Sequence, residues 1–183
     1  YQDSPEWKVL INLLGALYNN HPFKIDIAGS VESISKITPE ILYKCYNTFY
    51  NLHNMALCLV GDFDHETIFS IVDKKLKYSP ALNVSRFFPN EPHNVCQKYV
   101  SEKLDIQNSI FSLGFKEDIQ QNTQISTEDL VYSDMIISYL SSPSSEMYQT
   151  LLNSELINNG SFSSEYFQGP GYSSVIFSGE SGN

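Results

Sequence analysis

Four histidines, His21, His53, His65 and His93, are the side chains with which this sequence could bind a metal or move a proton. A helical H-E-x-x-H signature places two imidazoles on one helix face, with the glutamate between them as base for a metal-bound water. His65-Glu66 begins that pattern, but Phe69 stands where the second histidine is needed. The inverted form, H-x-x-E-H, needs Glu and His three and four residues after a histidine, and none of the four has them. His65 therefore reads as a first-turn residue beside a helix cap at Asp64. His21 reads as a turn or surface residue before Pro22, and His53 as part of a polar turn.

Nucleophilic and phosphate chemistry are also unsupported. No G-x-S-x-G elbow occurs, and Gly29-Ser30-Val31-Glu32-Ser33 lacks its glycines. Neither G-x-G-x-x-G nor a Lys-containing phosphate loop is present, and Gly169-Pro170-Gly171 is weaker than either. Cys45, Cys58 and Cys96 are widely spaced and odd in number, which opposes a disulfide framework and a thiolate zinc site. Cys58 reads as a core residue of a strand, and the pairs Glu117-Asp118 and Glu128-Asp129 as solvent-facing. The residues alone supply no catalytic and no metal-binding side chain.

Composition sets the frame for these side chains. At 183 residues and 42% hydrophobic, the chain can build a packed core. No apolar run approaches the ~20 residues of a membrane-spanning helix. A net charge of -10 opposes nucleic acid and anionic membranes as partners. Residues 1–78 carry nine acidic and seven basic side chains and residues 79–183 twelve and four, a break that suggests two units. Reduced cysteines point to a cytoplasmic setting. The N-terminal residues carry no signal-peptide pattern and no initiating Met, and the chain reads as an excised piece.

The elements follow from caps and periodicity. Ser4-Pro5 opens a helix over residues 4–19 with Trp7, Leu10, Ile11, Leu14, Leu17 and Tyr18 on one face. Gly15 within it costs about 1 kcal/mol relative to Ala, which suggests a close neighbour. Thr38-Pro39 starts a second helix to about Tyr50, its stripe being Ile41, Leu42, Cys45, Tyr46 and Phe49. Residues 55–60, MALCLV, have the continuous apolarity of a strand covered on both faces. Asp64 caps a further helix with Ile68, Ile71, Val72 and Leu76 inward. A Pro-rich linker follows over residues 79–94, then strands at 95–102 and 108–115. Ser126 opens a helix through Leu130, Val131, Met135, Ile136 and Leu140. Another starts at Ser142-Pro143 and stops at Asn158-Asn159-Gly160. A hairpin joins 161–167 to 172–179 across Gly169-Pro170-Gly171.

In order and spacing, the stretch His21-Pro22-Phe23-Lys24-Ile25-Asp26-Ile27-Ala28-Gly29-Ser30, then Val31 to Ile34, Ile37-Thr38, Tyr50, Asn54-Met55 and Val60-Gly61-Asp62, closely resembles the pitrilysin/insulinase family of zinc peptidases, in its bacterial branch. The later segment Ser144 to Leu151, with Ser161-Phe162 and Glu165-Tyr166, resembles the start of that family's second repeat. The resemblance implies an α+β fold: a two-layer sandwich whose mostly antiparallel sheet carries helices on one side. Residues 1–78 would be the back half of the first repeat and 95–183 the front half of the second, together one compact pseudo-domain. Residues 55–60 are expected to join a sheet with the strands after Val95. The family's zinc sits on an H-x-x-E-H helix with a downstream glutamate, and these residues match no position here. Glu6 is the one carboxylate near the matching place, and it is not assigned as a ligand. Zinc is thus expected in the parent protein and not in this piece, and the family's substrate-assisting Arg and Tyr find no match either. The implied role is a non-catalytic scaffold of an endopeptidase acting on peptides or small unfolded polypeptides. The rivals are a catalytically inactive partner subunit of the same family and an unrelated α+β interaction domain. A paired or homologous subunit is an expected partner, and exposed sheet edges could also dimerise.

Overall fold

Every α-helix among the described residues begins on a side-chain oxygen that accepts the amide of its first turn. In the computed structural model, which describes residues 4–77, 80–82, 84–87, 89–117 and 125–182, Ser4 caps α1 (Pro5–Leu17), Ser30 caps α2 (Val31–Ser35) and Thr38 caps α3 (Pro39–Phe49). Asp64 caps α4 (His65–Lys75), Ser126 caps α5 (Thr127–Ser141) and Ser145 caps α6 (Glu146–Asn153). The strands are β1 (Ser109–Lys116), β2 (Ser163–Gly169) and β3 (Tyr172–Ser181). The fold class is α+β, as expected. Helix α6 starts three residues after the expected Ser142-Pro143, because Ser145 rather than Ser142 supplies the cap, and it ends at Asn153, before the Asn158-Asn159-Gly160 stop.

The chain divides into two compact units, Tyr1–Ala28 with Phe88–Asn183, and Gly29–Phe87. The helix at residues 5–17 thus belongs with the C-terminal part of the chain, and the compact units do not follow the charge break near residue 78.

In the larger unit, β3 lies between β1 and β2 in one antiparallel sheet. Gly114 of β1 stands opposite Ile176 of β3, which stands opposite Glu165 of β2. A Cβ on Gly114 would lie 2.7 Å from a Leu17 methyl and 3.1 Å from one of Leu13. The missing side chain lets α1 settle on the sheet, and Leu14, Leu17, Tyr18 and Ile176 form the buried core there. The opposite face carries Phe177 and Ser164, and there Ser164 bonds the Ser141 hydroxyl (2.9 Å) and the Ile137 carbonyl (3.0 Å) of α5. Phe177 stacks on Phe162, centroids 5.7 Å apart. Helices therefore cover both faces of the sheet, α1 adding a layer to the one formed by α5. In α5 the buried residue is Ile137, whereas Val131, Met135 and Ile136 of the expected stripe are exposed.

Two expectations for this unit fail. Residues 95–102 form no strand; they run along α1, with Gln97 N–H donating to the Ala16 carbonyl (2.9 Å) and Glu102 accepting from Lys8 and Asn12 (both 3.0 Å). Val95 is half-buried and residues 96–102 are exposed, so the alternation of types in the sequence corresponds to no alternation of burial. Gly15 has no close neighbour either, since a Cβ there meets nothing within 4 Å.

In the smaller unit, α2, α3 and α4 form as the caps dictate, but their apolar stripes are only partly covered, Ile68 and Val72 of α4 being half-buried. Ile41, Leu42, Tyr46 and Phe49 of α3, Ile71 of α4 and Leu76 at its C-cap are exposed. Residues 55–60 form no strand and have no ladder partner among the described residues, with Val60 96% exposed and Cys58 exposed. A strand is made by its ladder partner, and no described segment supplies one. The buried polar residue of this unit is Asn51, whose carboxamide accepts from His53 N–H (2.9 Å) and donates to the Pro80 carbonyl (3.0 Å).

Gly15→Ala fills open space on a helix and removes backbone freedom from the unfolded chain. It should raise stability by about 0.5–1 kcal/mol, read as an increased urea midpoint with unchanged slope. A lower midpoint would mean that α1 needs the glycine.

Candidate functional site

A cluster of polar groups around a buried ion pair sits where α1 ends. Helix α1 stops at Leu17, leaving carbonyls and the following amides without helical partners. The Glu91 carboxylate takes up three of those amides: Asn19 N–H on Oε1 and Asn20 and His21 N–H on Oε2, each at 2.7 Å. Lys116, the last residue of β1, places its ammonium 2.6 Å from Glu91 Oε1 and also donates to the carbonyls of Pro92 (2.6 Å) and Leu17 (3.2 Å). The same ammonium lies 5.2 Å from the centre of the Tyr18 ring. The two charged side chains are 4% and 6% exposed, so this is a buried ion pair. Burial alone would raise the Glu91 pKa; the Lys116 ammonium and the three amides outweigh it and bring the carboxyl down to about 2. Burial pushes the neighbouring Tyr18 phenol up to about 12, with Ser174 tempering the rise.

His21 lies beside this pair, 2% exposed, a turn residue as expected but not a surface one. Its Nδ1 accepts the Phe23 N–H (3.1 Å), which leaves Nε2 to donate to the Pro170 carbonyl in the β2–β3 turn (3.1 Å). Its ring packs on Tyr172, and Tyr172 stacks on Phe23 with centroids 4.2 Å apart. His21-Pro22 thereby ties the end of α1 to the hairpin. Across the sheet, the Glu117 carboxylate accepts hydroxyls from Tyr166 (3.0 Å) and Ser173. Burial, seconded by that carboxylate, pushes the Tyr166 phenol up. Glu117 faces solvent yet is bonded, and Asp118 lies outside the described residues.

The other side chains weighed as chemistry are dispersed. His53 follows the Asn51 cap, His65 is the exposed first residue of α4 beside Asp64, and His93 lies on the exposed strap after Glu91. Glu6 sits in the first turn of α1 and accepts from the Ser4 hydroxyl (2.9 Å). Glu128 and Asp129 occupy the first turn of α5, as solvent-facing acids. Among the described residues, no three His, Cys, Asp or Glu side chains converge where they could hold a metal ion. At the α1 end the carboxylate and ammonium saturate each other and the surrounding backbone, so the cluster can lock a turn but leaves no open position for a substrate atom. Sequence reading missed it. Strand alternation does place Lys116 on the same face as Gly114, and an inward lysine demands an acceptor. Glu91, between Pro89 and Pro92, carries no such signal.

A family profile described as Peptidase M16 inactive domain matches residues 36–183. The chain belongs to the peptidase M16 family. The chain is similar to the "Uncharacterized zinc protease YmfH" of Bacillus subtilis (strain 168), 39% identical over 119 residues, covering 63% of this chain and 28% of that protein. It also resembles the "Probable inactive metalloprotease YmfF" of the same organism, 23% identical over 124 residues, covering 68% of this chain and 29% of the relative. A crystal structure of an M16-like peptidase from Alicyclobacillus acidocaldarius superposes on all of this chain and 44% of the other with a TM-score of 0.86 at 29% identity. The chain thus spans less than a third of the curated relatives and under half of the solved one. No helix among the described residues is long and apolar enough to cross a membrane.

The Glu91 carboxyl titrates near pH 2 when folded against 4.5 for the ordinary group. A depressed acid contributes stability in full above its unfolded pKa and loses it as pH falls through the folded value. Here the contribution is about 3 kcal/mol, present above about pH 5 and lost toward pH 2. Glu91→Gln should therefore destabilise the chain by about 3 kcal/mol at pH 7 and flatten the acid limb of a urea-midpoint against pH curve. An unchanged acid limb would remove Glu91 from the account.

Proposed function

We propose that this chain is a non-catalytic scaffold of a zinc-dependent endopeptidase of the M16 family, one that cleaves peptides or small unfolded polypeptides. The observation that carries the reading is the match of residues 36–183 to the family's inactive-domain profile. Two relatives, YmfH and a protein of Rickettsia felis (strain ATCC VR-1525 / URRWXCal2), are named as zinc proteases, and metal chemistry in the parent would rest on residues outside this chain. In this reading residues 1–78 close the first repeat and residues 95–183 open the second. The uncovered apolar faces of α3, α4 and residues 55–60 support it, because a scaffold hands such faces to the rest of its polypeptide. The setting would be the cytoplasm, and the parent would enclose its substrate, which could add a strand to a sheet edge.

A second reading makes the parent an inactive partner subunit paired with an active homologue. It is favoured by the name of YmfF, but the identity to that relative is 23% against 39% to YmfH, and the enzyme reading takes precedence.

The test is metal content and cleavage of an unfolded polypeptide by the whole protein, with and without substitutions inside this chain. Glu6→Gln and His65→Gln, both at exposed helix starts, should leave zinc content and cleavage unchanged. Loss of zinc in either variant would overturn the scaffold role. A whole protein that neither holds zinc nor cleaves would turn the assignment to the partner subunit.

A further inference from the structure

The turn after α6 contains Asn159-Gly160, the dipeptide most prone to intramolecular deamidation because glycine leaves the following amide nitrogen unhindered. Both participants in that reaction contact one oxygen. The Gly160 N–H donates to the Tyr148 phenol at 2.8 Å, and the phenol donates to Asn159 Oδ1 at 3.3 Å. Tyr148 is 1% exposed, fixed on α6 and packed edge-on against Phe162. The turn is closed by Ser161 N–H on the Asn158 carbonyl (3.1 Å), with Gly160 at φ +78°. Asn159 is not among the residues of positive φ, so the turn is type II, in which the residue before the glycine has ψ near roughly +120°.

We propose that Asn159-Gly160 is a latent deamidation site held closed by the Tyr148 phenol. In the reaction the Gly160 nitrogen attacks Asn159 Cγ, a new N–Cγ bond forms, the Cγ–Nδ2 bond breaks, and ammonia leaves with the proton lost by the amide. Water then opens the five-membered imide at either carbonyl, giving Asp or its β-linked isomer. Ring closure requires the Gly160 nitrogen to eclipse Cβ about the Cα–C bond of Asn159. A type II turn holds the nitrogen far from that arrangement, so the peptide plane must swing round, breaking the Ser161–Asn158 bond and the Gly160–Tyr148 bond together. The product adds a negative charge and, in the β-linked form, one backbone atom. This happens where Asn158 N–H and the Ser161 hydroxyl grip the Glu180 carbonyl at 2.8 and 3.3 Å, so deamidation would loosen the end of β3.

The test follows a mass gain of about one dalton at Asn159 by peptide mapping, in mildly alkaline buffer, for the full chain, for Tyr148→Phe and for Phe162→Leu. A hexapeptide of residues 157–162 gives the unprotected rate. The intact chain should react more slowly than the peptide. Tyr148→Phe should accelerate the reaction roughly five- to tenfold, the weight of one net hydrogen bond. Phe162→Leu, which loosens the ring contact but keeps the hydroxyl, should accelerate it less than Tyr148→Phe. Equal rates in the intact chain and the peptide would overturn the proposal. So would equal rates in the intact chain and Tyr148→Phe, or a larger effect from Phe162→Leu.

Discussion

Glu91 and Lys116 join three pieces of chain: the end of α1, the Pro-rich strap and the end of β1. Charges buried this deeply cost several kcal/mol each unless every polar valence is met. Here the carboxylate takes three backbone amides, and the ammonium faces the backbone carbonyls of Leu17, Pro92 and Asn94 besides their mutual contact. That requirement fixes the direction in which the chain leaves α1. His21-Pro22 then falls against Tyr172 and Pro170, and the aromatic group of Tyr18, Phe23 and Tyr172 closes over the core. The pair is a device of position rather than of reactivity, since each charge is consumed in holding backbone.

Among the described residues the smaller unit has no buried ion pair. Its helices are set by local caps, which need only a neighbour three residues away, and its apolar stripes remain in contact with water. Side chains such as Leu42, Phe49, Leu57 and Leu59, each about half exposed, would contribute roughly 1 kcal/mol apiece on being covered completely. That energy is available to whatever covers them. The contrast between the two units is thus one of long-range partners: the larger has a sheet and a buried ion pair, and the smaller, among its described residues, has helices and the Asn51–Pro80 hydrogen bond.

Helix starts were legible because a cap is a property of four consecutive residues. Ser4, Thr38, Asp64 and Ser126 all act as read. The hairpin of β2 and β3 was legible for the same reason, from a short turn flanked by alternating residues. Burial was not: Cys58 and Val60 have a core strand's composition but no ladder partner, and composition cannot report a neighbour's absence. Residues 95–102 misled because alternating residue types suggest a strand even where the segment is held by polar contacts to α1 and stays exposed. Glu91 was invisible since its partners are backbone amides, which every residue carries. For chemistry, the failed histidine spacing was informative, and the family likeness was carried by turns, caps and hydrophobic positions rather than by reactive groups.

The proposed role, in which the chain contributes shape to a peptidase whose metal is held elsewhere, starts from membership of the M16 family. Equilibrium dialysis of the isolated 183-residue chain against zinc measures this most directly. The account predicts weak, non-stoichiometric uptake that competing chelators abolish without changing the far-ultraviolet dichroism. One tightly held zinc per chain, with ligands traced to these residues by substitution, would contradict it.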